Sequence, residues 1–222
     1  KSLSEKLSKM GSISNQTSHI KNIIKIVSRI PMDENQGYDV LGFIYEFLLK
    51  NFASNSKKDG EFYTPHEISI LMSEIVAHHL RDREQINILD PTSGSGSLLI
   101  NIGQSVQKYL QDSGNITYYA QELIQETFNL TRMNLVMRGI NPSNIKVRRG
   151  DTLANDWPYF DDNDENSYEY VPVDCVVSNP PYSHKWDADN HTNDPRYKEY
   201  GIAPASKADY AFLLHDLYHL KD

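Results

Sequence analysis

A chain of 222 residues is long enough to bury one sizeable core with an appendage beside it, and its 23 % charged and 39 % hydrophobic residues exclude a largely disordered protein. The formal charge of -8 excludes a broad basic footprint, so a polyanionic partner has to be met by a local basic groove or by another subunit. No apolar run approaches the roughly 20 residues that span a bilayer and no short apolar segment follows a basic start, so a cytoplasmic protein without membrane contact is expected.

From Ser18 to Ile30 the apolar positions Ile20, Ile23, Ile24, Val27 and Ile30 recur at helical spacing, and Pro31 stops the run. Leu41, Ile44, Phe47 and Leu48 mark the stripe of a second helix, and the polar stretch Asn55 to Gly60 closes this layer. Residues 1–58 are therefore read as a helical appendage and 59–222 as the main domain. Thr64-Pro65-His66-Glu67 carries a helix-start signature of its own, with Thr as cap, Pro at the first helical position and Glu three residues after the cap.

Beyond that start, short apolar runs alternate with amphipathic stretches, as a parallel α/β sheet requires. Strands are expected at Ile86 to Asp90, Ile116 to Gln121, Ile145 to Arg149 and Val171 to Ser178, with helices over Ser97 to Leu110 and Gln125 to Met137. The acidic run Asp161 to Glu165 reads as a solvated loop. Ser206 to Leu220 reads as a last helix with Tyr210, Leu213, Leu214 and Leu217 on one side. Four strands make a thin sheet whose last member is left as an open edge, so the sequence is expected to be a fragment of a longer polypeptide.

The turn Asp90-Pro91-Thr92-Ser93-Gly94-Ser95-Gly96-Ser97 leaves a strand and enters a helix. Glycines there let the backbone approach a ligand at the strand's carboxyl end, and a nucleotide-like cofactor is the natural occupant; the plainer reading is a turn that closes a βα unit. Glu122 follows the next strand, where a carboxylate can accept from ribose hydroxyls. Asp151 follows the third, so successive strands end in Asp90, Glu122 and Asp151 on one expected sheet edge. Such an edge suits hydrogen bonds to hydroxyls and amines.

Ser178-Asn179-Pro180-Pro181-Tyr182 follows the apolar Cys175-Val176-Val177. Two prolines fix φ and remove donors, which holds nearby carbonyls as rigid acceptors. An exocyclic amine could donate to the Asn179 side-chain oxygen and the Pro180 carbonyl, with Tyr182 stacked on the base. The plainer reading is a proline-bounded loop with a core tyrosine. Cys175, the single cysteine, lies inside an apolar strand after Asp174 and reads as core, not as a catalytic nucleophile. His215 and His219 share a helix face, but no third ligand is apparent; they read as surface or interface histidines, like His78 and His79, and no metal is expected.

In their order, Glu61-Phe62-Tyr63-Thr64-Pro65, the Asp90 to Gly96 turn, Glu122, Asp151 and Asn179 to Tyr182 resemble the amino-methyltransferases, and more closely the modification subunits of type I restriction-modification systems. Ser206-Lys207-Ala208-Asp209-Tyr210-Ala211-Phe212 resembles a helix start found after the catalytic loop in that subgroup, and residues 1–58 resemble the end of its helical amino-terminal domain. The resemblance implies a Rossmann-like α/β sheet of an S-adenosylmethionine-dependent methyltransferase, incomplete here at its first four strands, with an N-terminal helical appendage. It also implies methyl transfer to the N6 amine of adenine in DNA. Glu61, Phe62, Tyr63, Thr64 and Pro65 would line the cofactor site with Asp90, Thr92, Gly94, Ser95, Gly96, Ser97 and Asn179. Glu122 would hold the ribose and Asp151 would face the cofactor's adenine, while Asn179, Pro180, Pro181 and Tyr182 would hold the target base.

Transfer is expected to be direct and in line, with no covalent enzyme intermediate. The implied partners are DNA, a specificity subunit that reads the bases, a restriction subunit and a second modification subunit. Methylation of a protein glutamine amide, or a noncatalytic assembly role, remain the alternative readings.

Overall fold

Four parallel strands form one sheet in the computed structural model: β1 (Ile86–Asp90), β2 (Ile116–Glu122), β3 (Ile145–Arg149) and β4 (Cys175–Val176), in spatial order β3-β2-β1-β4. The structure describes residues 13–27, 29, 64–110, 115–156, 170, 172–182 and 184–221. The expected helix at Leu41 to Leu48, the loop Asn55 to Gly60, the residues Glu61, Phe62 and Tyr63, and the acidic run Asp161 to Glu165 lie outside them.

The chain divides into two compact units, Lys1–Leu49 and Lys50–Asp222. In the first, helix α1 spans Ile13–Val27, beginning before the Ser18 start expected, and Ile20 and Ile24 of its apolar run are exposed. All the other described elements belong to the second unit.

Central strand β1 reads as a nearly continuous apolar run because both its faces are covered; Ile86, Ile88 and Leu89 are fully buried. In β2 only alternate residues Ile116, Tyr118 and Ala120 face the main core, the period of a strand with one buried side. Helix α2 (His66–Leu80) packs on helix α3 (Ser97–Gln107), where Asn101 Nδ2 donates to Ser69 Oγ at 2.7 Å and Ser105 Oγ to Glu74 Oε1 at 2.8 Å. A Cβ at Gly103 of α3 would lie 2.1 Å from the Tyr118 hydroxyl, so this helix carries a glycine where the β2 tyrosine rises against it. Helix α4 (Gln125–Met137) matches the expected bounds and ends just before Gly139, whose φ of +74° is the left-handed conformation that stops a helix.

Three expectations are corrected. Val171 to Ser178 is not one long strand: only Cys175 and Val176 pair as β4, although Val173, Cys175 and Val177 keep a strand's alternating burial. Pro172 has no N–H to give, and the Asp174 carboxylate takes the Asn87 N–H at 2.9 Å that a ladder carbonyl would have taken. The last helix, α5, spans Asp209–His219 rather than Ser206 to Leu220. Its buried side is Ala211, Phe212, Leu214, His215 and His219, while Tyr210, Leu213 and Leu217 are exposed, because the residues that meet Leu153, Tyr197 and Ala203 in a second apolar cluster lie on the opposite face from most of its large aliphatics. Nor is the far side of β4 bare, since Val173 bridges in parallel to Leu220 just after α5.

Strand order places the functional edge. From β1 the chain winds outward through β2 and β3, then returns to the other side of β1 as β4. Between β1 and β4 the winding reverses, and in open parallel sheets ligands bind at the carboxyl ends of the strands at such a reversal. The glycine turn follows β1 and the Asn179 turn follows β4, so both expected sites leave the sheet at this reversal.

Candidate active site

Gly94 and Gly96 both adopt positive φ, +54° and +78°, which gives the turn after β1 its shape and restricts both positions to glycine. The space beside Gly94 is open: a Cβ built there meets nothing within 4 Å. At Gly96 a Cβ would press Thr131 Cγ2 at 3.2 Å. Thr131 and Asn134 of α4, both buried, brace the turn: Thr131 Oγ1 donates to the Gly94 carbonyl at 2.8 Å and meets Ser93 Oγ at 3.0 Å, and Asn134 Nδ2 donates to the Ser95 carbonyl at 2.6 Å. Neither was expected, though polar residues on the sheet-facing side of a helix were a readable sign. Ser97 opens α3, so the first amides of that helix border the turn.

Of the three strand-end acids, Glu122 reaches the turn directly. Its Oε2 accepts from Gly94 N at 2.8 Å and its Oε1 from Ile124 N at 2.9 Å, tying β2 to the glycine loop. Asp90 is buried beneath the turn and accepts from Thr92 N at 3.0 Å; burial pushes its carboxyl well above the ordinary carboxylate range, with the neighbouring Asp216 and Glu122 charges adding to the rise. Asp151 is half-buried and caps its own turn, accepting from Leu153 N at 3.0 Å.

After β4 the chain makes one more bond to β1, Val177 N to the Leu89 carbonyl at 2.9 Å, and then enters the Asn179 turn. Asn179, Pro180 and Pro181 are half-buried, and Tyr182 is 60 % exposed rather than sealed in a core. Side-chain bonds reach the turn from opposite ends of the unit. Asn179 Nδ2 donates to Thr64 Oγ1 at 3.0 Å across 115 residues, and Ser178 Oγ donates to Asp216 Oδ2 at 2.6 Å.

Thr64 therefore does not act as the helix cap that its local sequence suggests. Helix α2 begins at His66 after Pro65, with no side-chain cap bond, because the Thr64 hydroxyl is turned toward Asn179. Pro65 is exposed beside it.

The histidines of α5 are also corrected. His215 and His219 are 1 % and 0 % exposed, not surface groups, and Asp156 supplies a third acid or base, the ligand atoms of all three lying within 4.8 Å of one another. This set does not suit a metal. Arg196, which can only donate, meets His215 Nδ1 at 3.0 Å, so that nitrogen carries the lone pair and the neutral ring's proton sits on Nε2, the atom a metal would need. Burial, then the His219 and Arg196 charges, hold His215 well below the usual histidine range. With Arg196 also bonded to the Thr152 and Leu153 carbonyls and His219 Nε2 to Asp156 Oδ1 at 2.8 Å, the group braces α5 against the segment after β3. His78 and His79 are exposed on α2. Cys175 is buried in β4, and burial pushes its thiol up to about 12, as suits a core residue.

The family model described as N-6 DNA Methylase matches residues 36–222. The chain belongs to that family. It is 36 % identical, over 96 % of its own length, to the type I restriction enzyme MpnII methylase subunit of Mycoplasma pneumoniae, of which it covers 39 %. To the MjaVIII methylase subunit of Methanocaldococcus jannaschii it is 33 % identical over 90 % of the chain and 33 % of that protein. The crystal structure of a type I restriction-modification methyltransferase subunit from Streptococcus thermophilus aligns with a TM-score of 0.79 at 37 % identity, covering 95 % of this chain and 42 % of that one. A Listeria monocytogenes protein described as a class I S-adenosylmethionine-dependent methyltransferase shares the fold, with a TM-score of 0.53 at 18 % identity over 71 % of this chain and 43 % of that one. The sheet is thus the Rossmann-like one expected, and the chain spans about a third to two-fifths of the length of these curated relatives.

Proposed function

We propose that the whole protein transfers a methyl group from S-adenosylmethionine to the N6 amine of adenine in DNA, as the modification subunit of a type I restriction-modification system. The observation that carries this reading is the 3.0 Å bond between Asn179 Nδ2 and Thr64 Oγ1, which joins the proposed target turn to the segment proposed to border the cofactor. That bond uses one N–H of the Asn179 amide and so sets which way its oxygen faces.

The donor set fits the cofactor. Open space beside Gly94, the backbone amides at the start of α3 and the Glu122 carboxylate offer a close approach, donors and an acceptor along one edge. Asp90, Thr92, Gly94, Ser95, Gly96 and Ser97 shape this side, Thr64 and Pro65 border it, and Glu61, Phe62 and Tyr63 extend the same segment. Glu122 keeps lone pairs beyond its two backbone bonds that would accept from a ribose, and Asp151 would face the cofactor's adenine. When bound, the cofactor supplies an electrophilic methyl group on a sulfonium. Asn179 Oδ1 and the Pro180 carbonyl accept from the target NH2 and align its lone pair, Pro181 keeps the turn rigid, and exposed Tyr182 stacks on the drawn-out base. Rate enhancement then comes from positioning and from acceptors aimed at the amine as it gains positive charge.

The charge of -8 leaves base reading to a separate specificity subunit, beside a second modification subunit and a restriction subunit, and this role belongs in the cytoplasm. The test is to incubate the full-length protein, with the subunits that purify with it, with radiolabelled cofactor and either adenine-containing duplex DNA or a glutamine peptide. Label recovered as N6-methyladenine supports the reading. Label on the peptide, or on neither, contradicts it.

A further inference from the structure

Asp216 is half-buried at the site edge, with its Oδ1 fully covered, and has no place in the mechanism above. It lies on α5, yet its side chain reaches back to the residue immediately before the Asn179 turn. At that point the sheet stops guiding the chain: among the described residues the Val177 N–H makes the last backbone bond to β1, and Pro180 and Pro181 cannot donate at all. The attitude of residues 178–181 thus depends on side-chain anchors, and Ser178 to Asp216 is the shorter of the pair that includes Asn179 to Thr64.

A carboxyl is an expensive choice for that anchor. Its second oxygen, Oδ1, is buried and has no hydrogen-bond partner among the described residues, and burial pushes the group up to about 7 despite the Ser178 bond. Helix α5 does not need it for packing, since Phe212, Leu214 and His215 are its seat. A costly group that the fold does not need is the kind retained at working sites.

We infer that Asp216 is a positioning residue for methyl transfer: through Ser178 Oγ, 2.6 Å away, it holds the turn at the angle at which Asn179 and Pro180 receive the target amine. The inference rests on the function proposed above. Because the Ser178 bond acts on the turn, its loss lowers kcat and leaves the KM for cofactor nearly unchanged, and S178A shows this with the Asp216 carboxyl still in place beside Asp90.

The test uses the full-length protein with its co-purifying subunits and compares D216A, D216N, S178A and the double variant S178A/D216A in the adenine methylation assay. D216A and S178A are each expected to lower kcat by about tenfold or more with cofactor KM within about twofold, and the double variant to be no worse than the more impaired single. D216N, which keeps an acceptor for the Ser178 hydroxyl, is expected to recover most of the rate. Should D216A fail to fold, S178A removes one hydroxyl and carries the comparison with D216N. Wild-type kcat in S178A, additive losses in the double variant, or losses that fall wholly on cofactor KM overturn the inference while leaving the proposed function standing. A wild-type protein that methylates no adenine overturns both.

Discussion

The two turns at the carboxyl edge of the sheet are held in different ways. The turn after β1 is fixed by its own backbone and near neighbours: two left-handed glycines, the Glu122 carboxylate, and Thr131 and Asn134 of the adjoining helix. The turn after β4 has prolines in place of donors and takes its anchors from Thr64 and Asp216, far away at either end of the unit. A rigid cradle suits a cofactor that returns in every cycle. A turn set by remote side chains suits a target base whose geometry must be matched to the methyl donor, and it makes that geometry sensitive to distant substitutions.

Breaking the target turn itself gives the largest expected effect. Asn179→Ala removes the proposed amine acceptor and is expected to lower kcat by about a hundredfold or more, with a much smaller loss of cofactor affinity read by calorimetry, since Asn179 also borders the cofactor edge. Equal loss of cofactor affinity contradicts the division between the turns. The converse is Gly96→Ala, which forces an L side chain to a φ of +78° against Thr131. It is expected to cost about 1 to 2 kcal/mol of stability and to weaken cofactor binding, in a thermal melt with and without cofactor. An unchanged melting temperature would show that the turn is not held as described.

A subtler probe is Thr64. Thr64→Val, which loses the Asn179 bond, is expected to lower the methylation rate by roughly fivefold, equivalent to about 1 kcal/mol, and Thr64→Ser to restore it. Equal rates in Val and Ser variants mean that the hydroxyl is not an anchor. The smallest effect concerns the brace behind the turns. His215 is held neutral, well below its ordinary value near 6.5, so its contribution to stability is fully present above that pH and is lost as the pH falls below it, where the unfolded chain takes up a proton that the folded one refuses. His215→Gln is expected to flatten the fall of the melting temperature between about pH 7 and pH 5. An unaltered slope would place the acid sensitivity elsewhere.

Much of this was legible in the amino-acid order. The apolar run Ile86–Leu89 announced a central strand, Gly94 and Gly96 a tight turn, and Asn179 to Tyr182 a rigid acceptor loop, because each signal is local and complete within a few residues. What stayed hidden depended on partners distant in sequence. Thr64 before Pro65 looks like a cap until the chain brings Asn179 to it. Asp216 and His215 sit in a helix whose large aliphatics lie on both faces, so spacing alone could not show that the face with the histidines turns inward. The shortness of β4 depends on Asp174 taking a neighbouring strand's N–H, a competition that strand propensity does not express.

The central claim is that the turns after β1 and β4 form one site for transfer to an adenine amine. Methylation-sensitive sequencing of DNA treated with the full-length protein and its co-purifying subunits tests it most directly, run beside the Asn179→Ala variant. The account predicts N6-methyladenine confined to one sequence context in the wild-type reaction and none above background in the variant. Methylated cytosine, or adenine methylation that persists undiminished without Asn179, would contradict it.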